Sequence, residues 1–425
     1  MKKLIKEFWT AYWFREKSSV GWAVFRIAFS IILIIYHAPR FFYIKELYTR
    51  SGFLFPHRIF SALHLPVPNY ELAIILNIIL FASIICFFFG YRTRTAAILI
   101  FLLNVYLSLL ENFSMRGFGQ MIIVYSFLFM FSPAGAFFSV DYAKKRALFL
   151  KNTAFSDTQT DSPLVPLTMQ RIMLWQLVSI YFFNVISKIQ HGGLRWLSGI
   201  NLFYLYHDTK IYAREFTVPL IELLKPVLPI LGNIIIAGLL FMPLGLLSKR
   251  DRKYAIAFGV MYHGIALITL KVPLVFSLLI FSLYLIVIEP DTWEKWWHNL
   301  QNKVSRERAL LFYDANCAIC RNFTTWVKAF DFFAKIEPKD INLLPEHIAI
   351  GTQTIDKNNF LKEMSLLSPR GRLYGGFYAV RKTFLYIPHA WILLTLFWLP
   401  GMSFIGVYIY RLVARNRYGI CHSCE

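Results

Sequence analysis

Four of the chain's five cysteines form two C-x-x-C pairs, Cys317/Cys320 and Cys421/Cys424. Two cysteines at this spacing can close a disulfide or share a metal ion. The first pair follows an apolar run, 309–313, which reads as a buried strand, and then the break Asp314-Ala315-Asn316. A helical pattern starts at Cys317, which puts Cys317 on the first helical turn and Cys320 one turn further in. A helix N-terminus carries partial positive charge and unbonded N–H groups, so it favours a thiolate over a thiol. Cys317, nearer the helix start and expected to be the more exposed, is the candidate nucleophile. Cys320 is the candidate resolving thiol. Asp314 is either a neighbour of the helix cap or a proton-relay carboxylate. Cys421 and Cys424 have three readings: a second dithiol that exchanges electrons with the first, half of a zinc site, or a reduced tail. About 100 residues lie between the pairs, against roughly 15–20 in a zinc ribbon, which ranks redox chemistry above zinc. Cys86 lies in an apolar run and reads as packing.

The elements that must position these thiols follow from the pattern around them. Expected are a strand at 309–314, a helix at 317–332, a short strand near 335–338, and strands at 364–368 and 372–375 around Pro369-Arg370-Gly371. Helices follow near 376–386, 390–398 and 402–416. Strand, C-x-x-C helix, strand, hairpin and helix is the thioredoxin-like order of a small α/β domain. Residues 391–410 are almost wholly apolar, and Pro400-Gly401 divides them into two pieces, each too short to cross a membrane. They read as packed or membrane-resting helices.

The rest of the chain has a different character. Of its 425 residues, 57% are hydrophobic and 16% charged, with a mean hydropathy of +0.50. A soluble protein would carry about a quarter charged residues. Long apolar runs make the class a polytopic α-helical membrane bundle of about eight spans, near 21–36, 72–90, 96–110, 119–138, 169–186, 231–247, 254–269 and 273–288. The expected organisation is a basic, aromatic surface segment at 1–19, a membrane domain at 20–290, an interfacial connector at 291–308 carrying Trp293, Trp296 and Trp297 on one face, and the small domain at 309–425. The net charge of +21 reads as topology and contact with anionic membrane lipids; no nucleic-acid motif accompanies it. With the N-terminus in the cytoplasm, the inner loops 1–19, 91–95, 139–168 and 248–253 hold five, two, four and four basic residues. That pattern places both termini in the cytoplasm of a multi-pass protein.

Ionisable groups at membrane depth are costly and usually face a bundle interior or a wet cavity. Arg26, Lys188 and His263 are the candidates. Each also has a plain alternative: Arg26 snorkelling to the inner face, Lys188 to the outer face, and His263 serving as a packing residue. Buried Asn and Gln side chains read as helix–helix hydrogen bonds.

Two family resemblances are carried by particular stretches. Ala23-Val24-Phe25-Arg26, SPAGAFFSVD at 132–141, ISKIQHGGLRWLSG at 186–199 and YHGIALITLKVPLVFSLL at 262–279 resemble the HTTM family, whose membrane domain is shared with vitamin K-dependent gamma-carboxylases and sporulation-delaying toxin maturation proteins. There, a lysine in the stretch that matches Lys188, Trp196 and Gly199 is taken as the base that deprotonates reduced vitamin K. The resemblance therefore implies such a role for Lys188, and a quinone as ligand of the bundle. This chain has Ser187-Lys188 in place of a tandem lysine and lacks the large lumenal domain, so carboxylation itself is not expected. Asp314-Ala315-Asn316-Cys317-Ala318-Ile319-Cys320, Gly375-Gly376 and YRLVARNRY at 410–418 resemble the DCC family (DUF393) of thiol–disulfide oxidoreductases, with Ala315 where glycine is frequent. Together they imply a membrane-anchored oxidoreductase of a bacterial inner membrane, whose dithiol serves a partner protein or a quinone-like ligand. The alternative is a non-redox maturation or immunity factor for an exported peptide, with structural or zinc-bound cysteines.

Overall fold

The computed structural model describes residues 2–112, 117–152, 162–350 and 353–416. Cys421, Cys424 and most of the polar run at 156–163 lie outside them. The chain divides into two compact units, one of residues 1–134 and 164–291, the other of residues 135–163 and 292–425.

The first unit is helical. Five of its helices are long and apolar enough to cross a membrane: Val20–Phe41, Tyr70–Phe89, Thr93–Leu110, Thr168–Gly192 and Lys225–Leu247. A sixth is reached if Leu274–Val287 and the helix after it count as one bent span. Among the described residues, five or six of the expected eight meet the length and composition of a span. The expected fourth span is the helix Phe118–Phe131. It stops before Ser132-Pro133, because a residue preceding proline disfavours helix. Its 14 residues give about 21 Å of a hydrocarbon core near 30 Å. The expected seventh is Arg252–Thr269, which opens on Arg252 and Lys253 and carries Tyr262 and His263. Phe25, Phe29 and Phe87 pack around Phe129 with ring centroids 4.8, 4.9 and 5.1 Å from it. The short strands Glu16–Ser18 and Leu164–Pro166 pair antiparallel.

The second unit begins with α1 (Val140–Asn152), in a stretch expected to be a loop of the membrane part. Its Tyr142 stacks on Phe332, and Phe137, just before it, meets Trp297 edge-on. Trp297 belongs to α2 (Pro290–Val304) and is buried. The three tryptophans therefore do not share one face: Trp296 is exposed while Trp297 turns into the core. A helix of alternating charge and tryptophan gives the sequence no way to tell a lipid-facing ring from a core ring.

A four-stranded sheet follows, built from β1 (Ala309–Tyr313), β2 (Ile336–Asp340), β5 (Ser365–Leu367) and β6 (Leu373–Gly375), in the order β2-β1-β5-β6. β1 runs parallel to β2, with Ala309 opposite Ile336, and antiparallel to β5, with Leu311 opposite Leu366. Parallel pairing needs a crossover, supplied by α3 (Ala318–Phe330). A separate hairpin, β3 (His347–Ile350) and β4 (Gln353–Asp356), and the short helix α4 (Lys357–Lys362) precede β5. The turn between β5 and β6 uses Gly371 at positive φ. Then come α5 (Gly376–Thr383), α6 (Trp391–Phe397) and α7 (Met402–Asn416). Gly401, at φ 86°, separates the last two. A residue with a Cβ would be strained there, and neither helix is long enough to span a bilayer alone.

Candidate functional site: two thiols at a strand–helix junction

β1 is buried along Ala309, Leu311, Phe312 and Tyr313 and delivers the chain to the turn 314–316. Asp314 Oδ1 accepts the Asn316 N–H and an Asn342 Nδ2 proton, both at 3.0 Å. Asp340, ending β2, accepts the Ala315 N–H at 3.3 Å. Two carboxylates from the C-terminal ends of parallel strands thus hold the turn. The residue that caps α3 is Cys317 itself: its sulfur accepts the Cys320 N–H at 3.4 Å. Asp314 accordingly fixes the approach to the helix rather than its first turn. Ala315 is not among the residues at positive φ, so glycine is not required there.

The order of exposure is the reverse of the expected one. Cys317 is 0% exposed and Cys320 9%. Both cysteines fall in one core cluster with Ala309, Leu311, Ile336 and Leu366, Cys317 the deeper because the cap position turns its short side chain back toward the sheet. Cys320, one turn on, lines a cavity of about 310 Å³. The other walls include Phe323 from α3, Phe377 and Val380 from α5, and Gly406, Tyr410 and Val413 from α7. This wall is almost entirely apolar. The Tyr410 hydroxyl accepts the Met364 N–H at 2.9 Å, which ties α7 to the residue before β5. A Cβ on Gly406 would overlap the Phe377 ring, so glycine permits the close approach of α7 to α5. Neither thiol is in a disulfide. Phe377 and Met364 escaped the sequence reading, as did a role for Tyr410. The apolar pattern at 402–413 was the available signal, but it does not say which helix it faces.

Beneath the sheet, Asp331 is fully buried and accepts the Lys335 and Ile336 N–H groups, both at 2.8 Å. Burial raises its carboxyl above the ordinary range, partly offset by those N–H groups, Lys328 and Arg146. Tyr313 is pushed up to about 12, by burial first and then by the Asp340 carboxylate; it stays a hydroxyl donor at neutral pH.

The three membrane-depth candidates each meet a different partner. Arg26 is 0% exposed and donates to the Ala134 carbonyl at 2.6 Å, so its guanidinium is turned to protein. Lys188 lies half-buried with its ammonium 5.1 Å from the Trp196 ring centre. Gly193 at positive φ starts the turn that folds Trp196 back, and a Cβ on Gly199 would crowd Leu228. The Lys188, Trp196 and Gly199 pattern therefore describes one packed turn. His263 is buried and bonded at 3.0 Å to the Tyr181 hydroxyl, which is bonded in turn to Tyr284. Asn77 and Asn104 donate to carbonyls of their own helices, and Asn104 also meets His37 at 2.9 Å. Of the buried amides, that last contact fits the helix–helix reading.

A strand, two thiols on the first turn of the next helix and a cavity against one sulfur define a dithiol site, set in a chain with a bundle of apolar helices. A family model for the HTTM domain matches residues 14–293, and one for DCC1-like thiol–disulfide oxidoreductases matches residues 311–423. The chain belongs to the HTTM family and joins that domain to a DCC1-like thiol–disulfide oxidoreductase domain. It is a multi-pass membrane protein of mixed build, helical first and α/β after. No curated protein and no solved structure matches it.

Proposed function

We propose that the protein is a membrane-anchored thiol–disulfide oxidoreductase whose C-terminal unit is a thioredoxin-like domain on the cytoplasmic side of a bacterial inner membrane. The observation that carries this is the placement of both sulfurs: Cys317 caps α3 and receives an N–H of the next turn, while Cys320 lines the cavity. Cys320 is the sulfur that meets the reaction partner, and Cys317 resolves. In dithiol oxidation, the Cys320 thiolate attacks a partner disulfide and expels one partner thiolate, which takes a proton. Cys317 then attacks Cys320 sulfur and releases the second. Two electrons and two protons leave the pair, and a Cys317–Cys320 disulfide remains. A quinone-like ligand of the membrane bundle would take the same two electrons and two protons on its oxygens, becoming a quinol. Trp398, Leu399, Phe404, Ile405 and Tyr408 are exposed around the α6–α7 turn, which suits a surface resting on lipid. Arg26, Lys188 and His263 are the bundle positions proposed to act on such a ligand.

The full burial of Cys317 also supports a second reading, a non-redox maturation or immunity factor with structural cysteines, or with zinc shared between the two pairs. Among the described residues no three metal-ligating side chains converge; Cys421 and Cys424 lie outside them. The test is a thiol redox titration in membranes, with single Cys→Ser variants at 317, 320, 421 and 424 and metal assayed in parallel. A reversible disulfide lost with either 317 or 320 supports the oxidoreductase. Four inert thiols with bound zinc support the alternative.

A further inference from the structure

The cavity at Cys320 is a trough that follows α7. Met402 and Ala414 both line it, and a helix separates residues at that spacing by roughly 18 Å. Gly406, Ile409, Tyr410 and Val413 line it between them. Their spacing puts all six on one side of the helix, so one face of α7 forms a continuous wall. A volume of about 310 Å³ drawn out along that wall has the proportions of one alkyl chain rather than of a compact ring system. The wall is apolar and unfilled: Gly406 is buried, while Ile409 and Val413 stay exposed. Removing that surface from water is the driving force for taking up a chain.

One end of the trough carries a charge. Arg381 of α5 donates to the Ser403 hydroxyl at 3.1 Å, one residue from Met402. Its guanidinium lies 4.7 Å from the Trp398 ring centre and 5.1 Å from that of Tyr378. These contacts hold it at the mouth, half-buried, and no carboxylate among the described residues is paired with it. A guanidinium with donors to spare, set at the end of an apolar trough, complements a carboxylate. Leu399 and Phe404 are exposed beside the same end, which gives an apolar ligand a greasy approach.

We propose that this trough binds one free long-chain fatty acid, with its carboxylate on Arg381 and its chain along α7 across Cys320, so that occupancy covers the thiol. Binding is non-covalent and needs no redox activity of the cysteines. Its consequence, that the fatty acid closes Cys320 to reaction partners, rests on the oxidoreductase reading and makes the ligand a regulator of that site.

The test uses the full-length protein in phosphatidylcholine nanodiscs. It is pulsed with N-ethylmaleimide and mapped by mass spectrometry, with Cys86 as internal reference. Myristate at about ten times its Kd should slow labelling of Cys320 roughly 10-fold and leave Cys86 unchanged. Tetradecyltrimethylammonium, with the same chain and the opposite charge, and hexanoate, with the same carboxylate and a short chain, should not protect. R381Q should raise the myristate concentration for half-protection roughly 10-fold at unchanged Tm, and R381K should recover part of the loss. A414W, which fills the far end, should abolish protection. A diazirine analogue of myristate should crosslink within residues 402–414 and be displaced by myristate. Equal protection by the cationic amphiphile, equal slowing at Cys86, or crosslinks only elsewhere overturn the proposal. Labelling needs no turnover, so the two levels separate. If myristate gives no protection while the Cys317–Cys320 disulfide still cycles, the fatty-acid site falls and the oxidoreductase stands. If it protects a pair that never forms a disulfide, the site stands and the redox reading falls.

Discussion

The sulfur of Cys317 accepts the backbone N–H of Cys320 at 3.4 Å, inside a core that shields Cys317 wholly from solvent. The residue that donates this N–H is the one whose own sulfur faces the cavity. One cysteine thus organises the turn and the other presents the chemistry.

In the folded, reduced protein, Cys320 therefore reacts first with a small apolar alkylator such as N-ethylmaleimide. Cys317 reacts only after denaturation. Mass mapping after a short pulse checks this, and label at Cys317 ahead of Cys320 would reverse the roles. C317S and C320S should each bring disulfide-reductase turnover down to background, since exchange needs both thiols.

Asp314 joins the N–H of Asn316 to the side chain of Asn342. Asp314→Ala removes both acceptor contacts at a partly wet site, which costs about 1 kcal/mol. For a unit of this size that lowers Tm by roughly 2–4 °C. A much larger loss of turnover than of stability, restored by Asp314→Asn less than by the native carboxylate, would mark a proton relay instead of a scaffold.

Asp331 makes the C-terminal unit's stability depend on pH. Its carboxyl is raised above the unfolded value of 3.8, chiefly by burial. The native state then holds its proton more tightly than the unfolded chain, so this contribution is full below 3.8 and fades as pH rises through the raised value. Asp331→Asn, which cannot ionise, should gain on the parent as pH rises from acid to neutral. Thermal melts of both proteins across that range decide the sign; a parent that gains with pH refutes it.

Tyr181 links His263 and Tyr284 within the helical unit. Tyr181→Phe strands two buried polar groups, and such intramembrane bonds average about 0.6 kcal/mol with a maximum near 1.7. A detergent melt should show a small downward shift. A larger drop in quinone-dependent turnover than in stability would make the trio part of a ligand site.

Gly406 lets α7 approach the Phe377 ring. Gly406→Leu overpacks that contact at about 1–3 kcal/mol and moves the cavity wall. The expected readout is a lower Tm together with faster alkylation of Cys320; unchanged alkylation would show that the cavity does not depend on this seat.

Local pattern alone carried a good part of this. The C-x-x-C pair at a strand–helix junction was legible because the break at 314–316 and the switch from an apolar run to helical spacing are sequence-adjacent events. The strands around Gly371, the ends of α3 and α7, and the apolar helices of the first unit came from the same short-range signals. What escaped depends on contacts between distant segments. Whether Cys317 or Cys320 meets the cavity is set by α5 and α7 closing over one side of α3. The helix at 140–152 joins the C-terminal unit because Tyr142 and Phe137 find Phe332 and Trp297 across more than 150 residues of chain. Arg26 is buried because the Ala134 carbonyl waits for it. Periodicity says that a face is apolar, and the tertiary structure decides what that face meets. The energy of burial belongs to the pair of surfaces, and only one of them is written locally.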